Sequence, residues 1–276
     1  MLGYTPALVL GRRAVLKAVL LVAVLRATLD VLQPRIPGPA LERTDGRGCK
    51  YTRSIGRSFA GTERVSKLKR AIDVAVSGVA LVVLSPLFVV IGLAIILDSG
   101  FPVFYFQERV GRGFRRFRIS KFRSMKADHS GSKITVGGDS RVTRIGKILR
   151  ATKMDELPQF WNVVAGDMSL VGPRPEIPDY VEMCRPRYER ILTVRPGITD
   201  LASVRFRDEE RVLAEVANPM EHYAREILPR KLDLAEEYVR RHSLTLDASI
   251  LLRTAVAVFR GARKTHRAQS ARRRVR

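Results

Sequence analysis

Apolar residues are spread unevenly along the chain, and the longest uncharged run sets the first expectation. From Val74 to Leu97 there is no charged side chain. As one continuous helix this run reaches roughly 36 Å, enough to cross the hydrocarbon core of a bilayer. Two features favour a helix that enters and returns. Ser85-Pro86 lies near the midpoint, where proline removes a backbone hydrogen bond and collides with the preceding turn. Basic residues flank both ends: Lys67, Lys69 and Arg70 before, then Arg109, Arg112, Arg115 and Arg116 after. The positive-inside rule places both ends on one, cytoplasmic, face. The carbonyls freed at such a break have the Ser85 hydroxyl or neighbouring protein as candidate partners. A plain spanning helix stays open as the alternative.

After Gly100 the pattern becomes that of a globular unit, α/β and mostly helical. Phe101–Gln107 and Phe117–Phe122 have strand character. Asp128 to Asp139 is rich in Gly and Ser and reads as a loop. Short helices are expected over Val142–Thr152 and Met154–Val164, the latter with Pro158 in its first turn. Arg187–Leu192 leads to a turn at Pro196-Gly197. Arg207–Ala217 and Met220–His242 are amphipathic and helical, and Leu244–Phe259 is an apolar helix carrying Asp247 and Arg253. Upstream, Ala14–Leu25 is apolar apart from Lys17 and too short to span. Arg12-Arg13 precedes it, but no small-residue cleavage site follows. Four segments result: a basic N-terminal extension and linker (1–62), a membrane helix (63–100), a globular domain (101–259) and a basic tail (260–276).

Charge narrows the choice of partner. The net charge is +23, from 50 Lys+Arg against 27 Asp+Glu. Such a balance calls for a polyanion: nucleic acid, an anionic membrane surface or phosphorylated substrates. The long apolar run and the lack of a recognised nucleic-acid motif argue against nucleic acid. The basic tail suits anionic lipid, at about 1 kcal/mol for each Lys or Arg near the surface. Cys49 and Cys184 fit no metal or disulfide pattern, and a reducing compartment is the simplest reading.

The chemistry concentrates between Lys153 and Pro175. Asp155 and Glu156 are adjacent, and an apolar run leads from them to Pro173-Arg174-Pro175. One carboxylate suits a nucleophile and its neighbour a divalent cation. The prolines fix a guanidinium, the side chain best matched to a bidentate grip on phosphate. The combination points to phosphoryl transfer. Each residue also has a plainer role open to it. Asp155 suits a helix cap, Glu156 a first-turn carboxylate on the helix dipole, and Trp161 a core anchor.

Further motifs accompany the dyad in a fixed order: Lys69-Arg70-x-x-Asp73, Gln107-Glu-Arg-Val-Gly111, Lys121-Phe-Arg-Ser-Met125, Asp139-x-Arg141-x-Thr143, Asp155-Glu-Leu-Pro-Gln159, Asn162-Val163, Gly166-Asp-Met-Ser169, Gly172-Pro-Arg-Pro175 and Arg195-Pro-Gly-Ile-Thr199. On these, the chain from about Lys67 to Phe259 resembles the bacterial sugar transferase family, the monotopic polyprenyl-phosphate phosphoglycosyl transferases. The resemblance implies a monotopic protein of the bacterial inner (cytoplasmic) membrane, with a re-entrant helix broken at Ser85 and Pro86. A small cytosolic catalytic domain would rest on the anionic membrane surface through amphipathic helices. It implies transfer of a sugar-1-phosphate from a nucleotide diphosphate-sugar, UDP-sugar by family habit, to polyprenyl phosphate (undecaprenyl phosphate). The products would be polyprenyl-diphosphate-sugar and UMP, the first membrane step of polysaccharide or glycoconjugate synthesis. By the same resemblance Asp155 is the nucleophile and Glu156 the ligand of Mg2+, with Asp167 a second candidate for the metal. Arg174 would meet substrate phosphate, with Lys121 and Arg150 as further phosphate or carboxylate partners. No nucleic-acid partner is implied. The chain departs from the common pattern after Thr199, reading Asp200-Leu-Ala-Ser203 in place of Gly-Trp-Ala-Gln. This bears on sugar or nucleotide selectivity. A catalytically inactive membrane scaffold and a basic nucleic-acid-binding membrane protein are the alternatives from other classes.

Overall fold

The computed structural model describes residues 62–126, 139–206 and 209–257. The N-terminal extension up to residue 61, the loop up to residue 138 and the basic tail lie outside the described residues.

The apolar segment forms two helices, α1 (Thr62–Val83) and α2 (Ser85–Ser99), bent by 60° at the expected break. No single helix among the described residues is long and apolar enough to cross a membrane, whereas the bent pair passes on length and composition. The break follows from Pro86, which has no N–H to give the Val82 carbonyl one turn earlier. Ser85 Oγ donates to that same carbonyl at 2.8 Å. Ile91 and Ile95 of α2 pack with Phe122 and Leu149 of the globular part, while Val89, Val90, Leu93 and Leu97 stay exposed.

The motif Lys69-Arg70-x-x-Asp73 clamps α1 onto the domain. Arg70 donates to the carbonyls of Val163 (2.6 Å) and Val164 (3.1 Å). These lie in the last turn of helix α4 (Gln159–Ala165), where a cation meets the negative end of the helix dipole. Lys69 donates to the Val171 carbonyl at 3.0 Å and pairs with Asp247. Buried Asp73 accepts from Ser169 Oγ at 2.7 Å and from the Leu170 N–H at 3.3 Å. At the other end of the bent pair, buried Arg123 donates to the carbonyls of Ser99 and Phe101, both at 2.8 Å, and to that of Gly100. It satisfies carbonyls that α2 leaves without helical partners.

Two small sheets lie among the helices. Strands β1 (Phe104–Val110) and β2 (Arg116–Phe122) form an antiparallel hairpin pairing Phe104 with Phe122 and Val110 with Arg116. The first strand begins later than the expected Phe101, since Pro102 has no N–H for a ladder, and it extends to Val110. Strands β3 (Ser169–Val171) and β4 (Gly197–Thr199) are parallel. The second sheet corrects the expected turn at Pro196-Gly197. A Cβ on Gly197 would sit 2.1 Å from the Gly172 nitrogen, so this glycine permits close approach of two backbones.

Helix α3 (Arg144–Thr152) is capped by Thr143, whose Oγ1 accepts from the Gly146 N–H at 2.9 Å. The expected helix over Met154–Val164 splits into a 3-10 turn (Met154–Glu156) and α4, with Pro158 at the junction. Further on come α5 (Pro178–Met183), α6 (Arg185–Ile191), α7 (Leu201–Arg205) and α8 (Glu209–Ala214). The helical stretch from Met220 to His242 comprises α9 (Pro219–His222), a π-helical turn (Tyr223–Ile227) and α10 (Leu228–Arg241). The π turn lies just before Pro229, which cannot donate back to Arg225. Helix α11 covers residues 244–257. The largest core packs Tyr180, Tyr188 and Ile191 against Ile227, Leu228 and Leu232. Cys184 is buried there. Cys49 lies outside the described residues.

Candidate active site

Three segments converge on one carboxylate. Lys153 takes the left-handed conformation (φ 59°) and turns the chain sharply from α3 into the 3-10 turn. That turn buries both Asp155 and Glu156. Glu156 Oε1 accepts from Lys121 Nζ of β2 at 2.8 Å and from Arg174 Nη2 at 3.0 Å. Asn162, fully buried in α4, fixes the helix that follows the dyad to the strand that carries Lys121. Its Oδ1 accepts from the Ser120 N–H at 2.9 Å, and its Nδ2 donates to the Arg118 carbonyl at 2.8 Å.

The Pro173-Arg174-Pro175 segment is held from both sides. A Cβ on Gly172 would lie 2.4 Å from the Arg195 carbonyl oxygen, so the chain passes here only as glycine. The Arg174 N–H donates to Asp200 Oδ2 at 3.3 Å, and Asp200 Oδ1 caps α7 by accepting from the Ser203 N–H at 2.6 Å. Arg109 donates to the Pro175 carbonyl (3.2 Å) and to Glu176 Oε2 (3.3 Å), while the Tyr223 hydroxyl donates to Glu176 Oε1. The sequence reading missed Asp200, Glu176 and Tyr223. The available signal was Glu176 itself, a carboxylate directly after a rigid turn.

The two neighbouring carboxyls are driven apart electrostatically. Burial pushes the Asp155 carboxyl above the ordinary carboxylate range; Lys121 opposes this and the Glu156 charge adds to it. Burial alone would also raise Glu156, but Lys121 and Arg174 outweigh it and hold it well below its usual value. Burial lowers the Lys121 ammonium against the attraction of Glu156, whereas Glu156 raises the Arg174 guanidinium. Among the described residues Asp155 Oδ1 is buried with no hydrogen-bond partner. One carboxylate is thus locked by two cations, and the other keeps a buried oxygen without a hydrogen-bond partner.

The other expected residues are placed as follows. Arg150 sits in the last turn of α3, and its charge lowers both Asp155 and Asp139. Asp167 lies beyond the opposite end of α4 from the dyad. Its carboxyl is raised by burial against Arg115, Asn162, Arg70 and Arg195. The structure therefore brings together Asp155, Glu156, Lys121 and Arg174, with Arg150 near enough to be felt, and leaves Asp167 apart. Trp161 is buried in α4 and does not line the cleft described next.

For a divalent cation, no group of three His, Cys, Asp or Glu side chains is assembled among the described residues. Magnesium needs only one or two protein carboxylates when phosphate oxygens complete its shell. The adjacent Asp155 and Glu156, with Oδ1 of the former unpartnered, fit that need.

Glu156 and Arg174 open onto a cleft of about 570 Å³, within the size range of small-molecule sites. Its walls include Leu157, Phe160, Ile198 and Phe206. Ala202 and Ser203 also face it, so the segment that departs from the common pattern forms part of the wall.

The family model described as bacterial sugar transferase matches residues 64–261. A protein of Aeromonas hydrophila named UDP-N-acetylgalactosamine-undecaprenyl-phosphate N-acetylgalactosaminephosphotransferase is 37% identical over 201 residues, 70% of this chain and 44% of its own length. A UDP-glucose:undecaprenyl-phosphate glucose-1-phosphate transferase of Caulobacter vibrioides is 38% identical over 197 residues, 69% of each chain. The exopolysaccharide production protein PSS of Rhizobium leguminosarum bv. phaseoli is 38% identical over 200 residues, 69% of this chain and 94% of its own. The chain thus spans less than half the length of the Aeromonas relative and nearly all of the Rhizobium one. With the match covering most of the chain and including the dyad, the Pro-Arg-Pro turn and the bent helix pair, this protein belongs to the bacterial sugar transferase family.

Proposed function

We propose that the protein transfers a sugar-1-phosphate from a UDP-sugar to undecaprenyl phosphate, releasing UMP and leaving undecaprenyl-diphosphate-sugar. The observation that carries this reading is the buried Asp155, its Oδ1 unpartnered, beside a Glu156 fixed by Lys121 and Arg174. Asp155 attacks the β-phosphorus. The bond from that phosphorus to the bridging oxygen breaks, and UMP leaves with the bridging oxygen. A phosphate oxygen of the lipid then attacks the same phosphorus and releases the Asp155 carboxylate. Splitting the displacement in two lowers each barrier. The Arg174 fork holds phosphate oxygens during both steps. Glu156 would hold magnesium, which when bound would supply charge neutralisation at the diphosphate. The direct test incubates the purified protein with UDP-glucose, UDP-galactose and their N-acetyl forms, with and without undecaprenyl phosphate. UMP release from at least one donor and a labelled lipid product are expected. No UMP from any donor rejects the reading.

The same proposal places the bent helix pair in one leaflet of the bacterial inner membrane, with the catalytic domain on the cytoplasmic face. The exposed apolar side chains of α1 and α2 and the 60° bend support it. Pro86→Ala restores the backbone donor to Val82 and favours a straight helix, which satisfies its own backbone across a bilayer. Activity is expected to fall about tenfold or more as the domain loses its seat at the interface. Cysteine labelling near Lys69 and Gly111 should then report opposite faces, where the wild type reports one. Unchanged labelling with full activity in Pro86→Ala would assign the bend to something other than this proline.

A further inference from the structure

The cleft has a second polar point, remote in sequence from the dyad. Lys231 of α10 and Glu209 of α8 both line it, and their Nζ and Oε2 atoms are 2.6 Å apart. Both side chains are largely buried, at 12% and 21% exposed. The ammonium also lies 4.9 Å from the centre of the Tyr223 ring, a distance at which the ring face attracts it. The hydroxyl of that ring reaches Glu176, which Arg109 ties to the Pro-Arg-Pro segment. The pair is therefore held in fixed relation to Arg174, the group proposed to grip phosphate.

An ammonium and a carboxylate at one point suit a particular chemistry. A second phosphate gains nothing there, because Glu209 repels what Lys231 attracts. A neutral vicinal diol fits both: its two O–H groups donate to the carboxylate, and an oxygen accepts from the ammonium. The cleft wall also carries the apolar side chains of Leu157, Phe160, Ile198 and Phe206. The charged lining groups thus fall into two sets, Lys153, Glu156 and Arg174 at a phosphate end and Glu209 with Lys231 at a diol end, with Thr152, Thr199, Ser203 and Thr254 as the neutral polar groups of the wall. We infer that Lys231 and Glu209 form a diol-reading subsite that selects the donor. This deepens the proposed function and rests on it. A nucleotide sugar offers such diols on its hexose and on its ribose.

The test measures steady-state UMP release by the full chain in detergent for wild type, Glu209→Gln, Lys231→Met and Ser203→Trp. The last narrows the cleft without touching the ion pair. Three ratios of kcat/KM are read: UDP-glucose against UDP-galactose, UDP-N-acetylglucosamine against UDP-N-acetylgalactosamine, and UDP-glucose against its 2′-deoxyuridine analogue. UMP release by the wild type checks the parent reading. Binding of UDP-glucose, followed by its protection of the protein against heat, checks the subsite apart from turnover. The expected result is a rise of tenfold or more in donor KM or binding constant in both ion-pair variants, with kcat falling less. One ratio should move toward unity by at least fivefold. Movement of an epimer ratio assigns the pair to the hexose; movement of the deoxy ratio assigns it to the ribose. Should the ion-pair variants fail to fold, Ser203→Trp must raise the donor KM at least fivefold. Wild-type affinity and all three ratios unchanged in the folded variants would overturn the subsite and leave the parent reading intact.

Discussion

Asp155→Asn is expected to abolish both half-reactions, lowering UMP release on the order of 10⁴-fold or more. An amide neither attacks phosphorus nor leaves an ester for the lipid phosphate to displace. The substitution is otherwise mild. Asp155 Oδ1 has no hydrogen-bond partner among the described residues, so no contact of that oxygen is lost. Removing a buried charge that burial and Glu156 both disfavour should leave stability unchanged or raise it. The sign follows from linkage: a carboxyl raised in the folded state weakens folding as pH rises through the window between its ordinary and its raised value. The variant should therefore match the wild type below that window and exceed it above. Mass spectrometry of wild type mixed with a UDP-sugar alone should find a phosphosugar on the peptide carrying Asp155-Glu156, with UMP released before lipid is added. Obligatory binding of both substrates before any UMP appears, with no adduct and residual turnover in Asp155→Asn, would replace the covalent route by direct attack of the lipid phosphate.

How much of this was legible in the sequence depended on whether a local rule governed each element. The break at Ser85-Pro86 was readable because proline's missing donor acts within one turn, and the hydroxyl beside it repairs the same carbonyl. Strand β2 and the helical character of Met220–His242 followed from periodicity, whereas the π turn at Tyr223–Ile227 did not. The pair β3 and β4 was not readable as strands. Each has three residues, and Gly197 looks like a turn residue until the backbone of Gly172 is placed against it. At the site, adjacency gave Asp155 and Glu156, and proline flanks gave Arg174. The partner of Glu156 on β2 came from resemblance alone, since nothing local in Lys121 distinguishes it from a solvated surface lysine. Asp200 and the pair Glu209–Lys231 were invisible, because their roles are created by tertiary approach.

Glu156→Gln carries the second large effect, and its sign structure separates it from loss of a metal ligand alone. The neutral amide binds a hard cation poorly. It also leaves Lys121 and Arg174 facing each other without their shared counter-charge. Turnover should fall on the order of 10²-fold, and the magnesium requirement should shift to higher concentration. Stability should fall by about 1–3 kcal/mol at neutral pH, the usual cost of stripping a buried charged group of its partner. Glu156 is held below its usual value when folded. Its contribution is therefore present above the ordinary glutamate pKa of about 4.3 and is lost as pH falls through the lower, folded value. The stability gap between variant and wild type should narrow in that acid window. The activity profile should move the same way for a different reason. Glu156 raises the carboxyl of Asp155, and in the variant Lys121, which lowers it, no longer divides its charge with a second carboxylate. Asp155 then ionises more easily, and the acid limb of the residual activity should shift to lower pH. A limb that stays put or moves up, measured with magnesium saturating, would show that Asp155 does not set it.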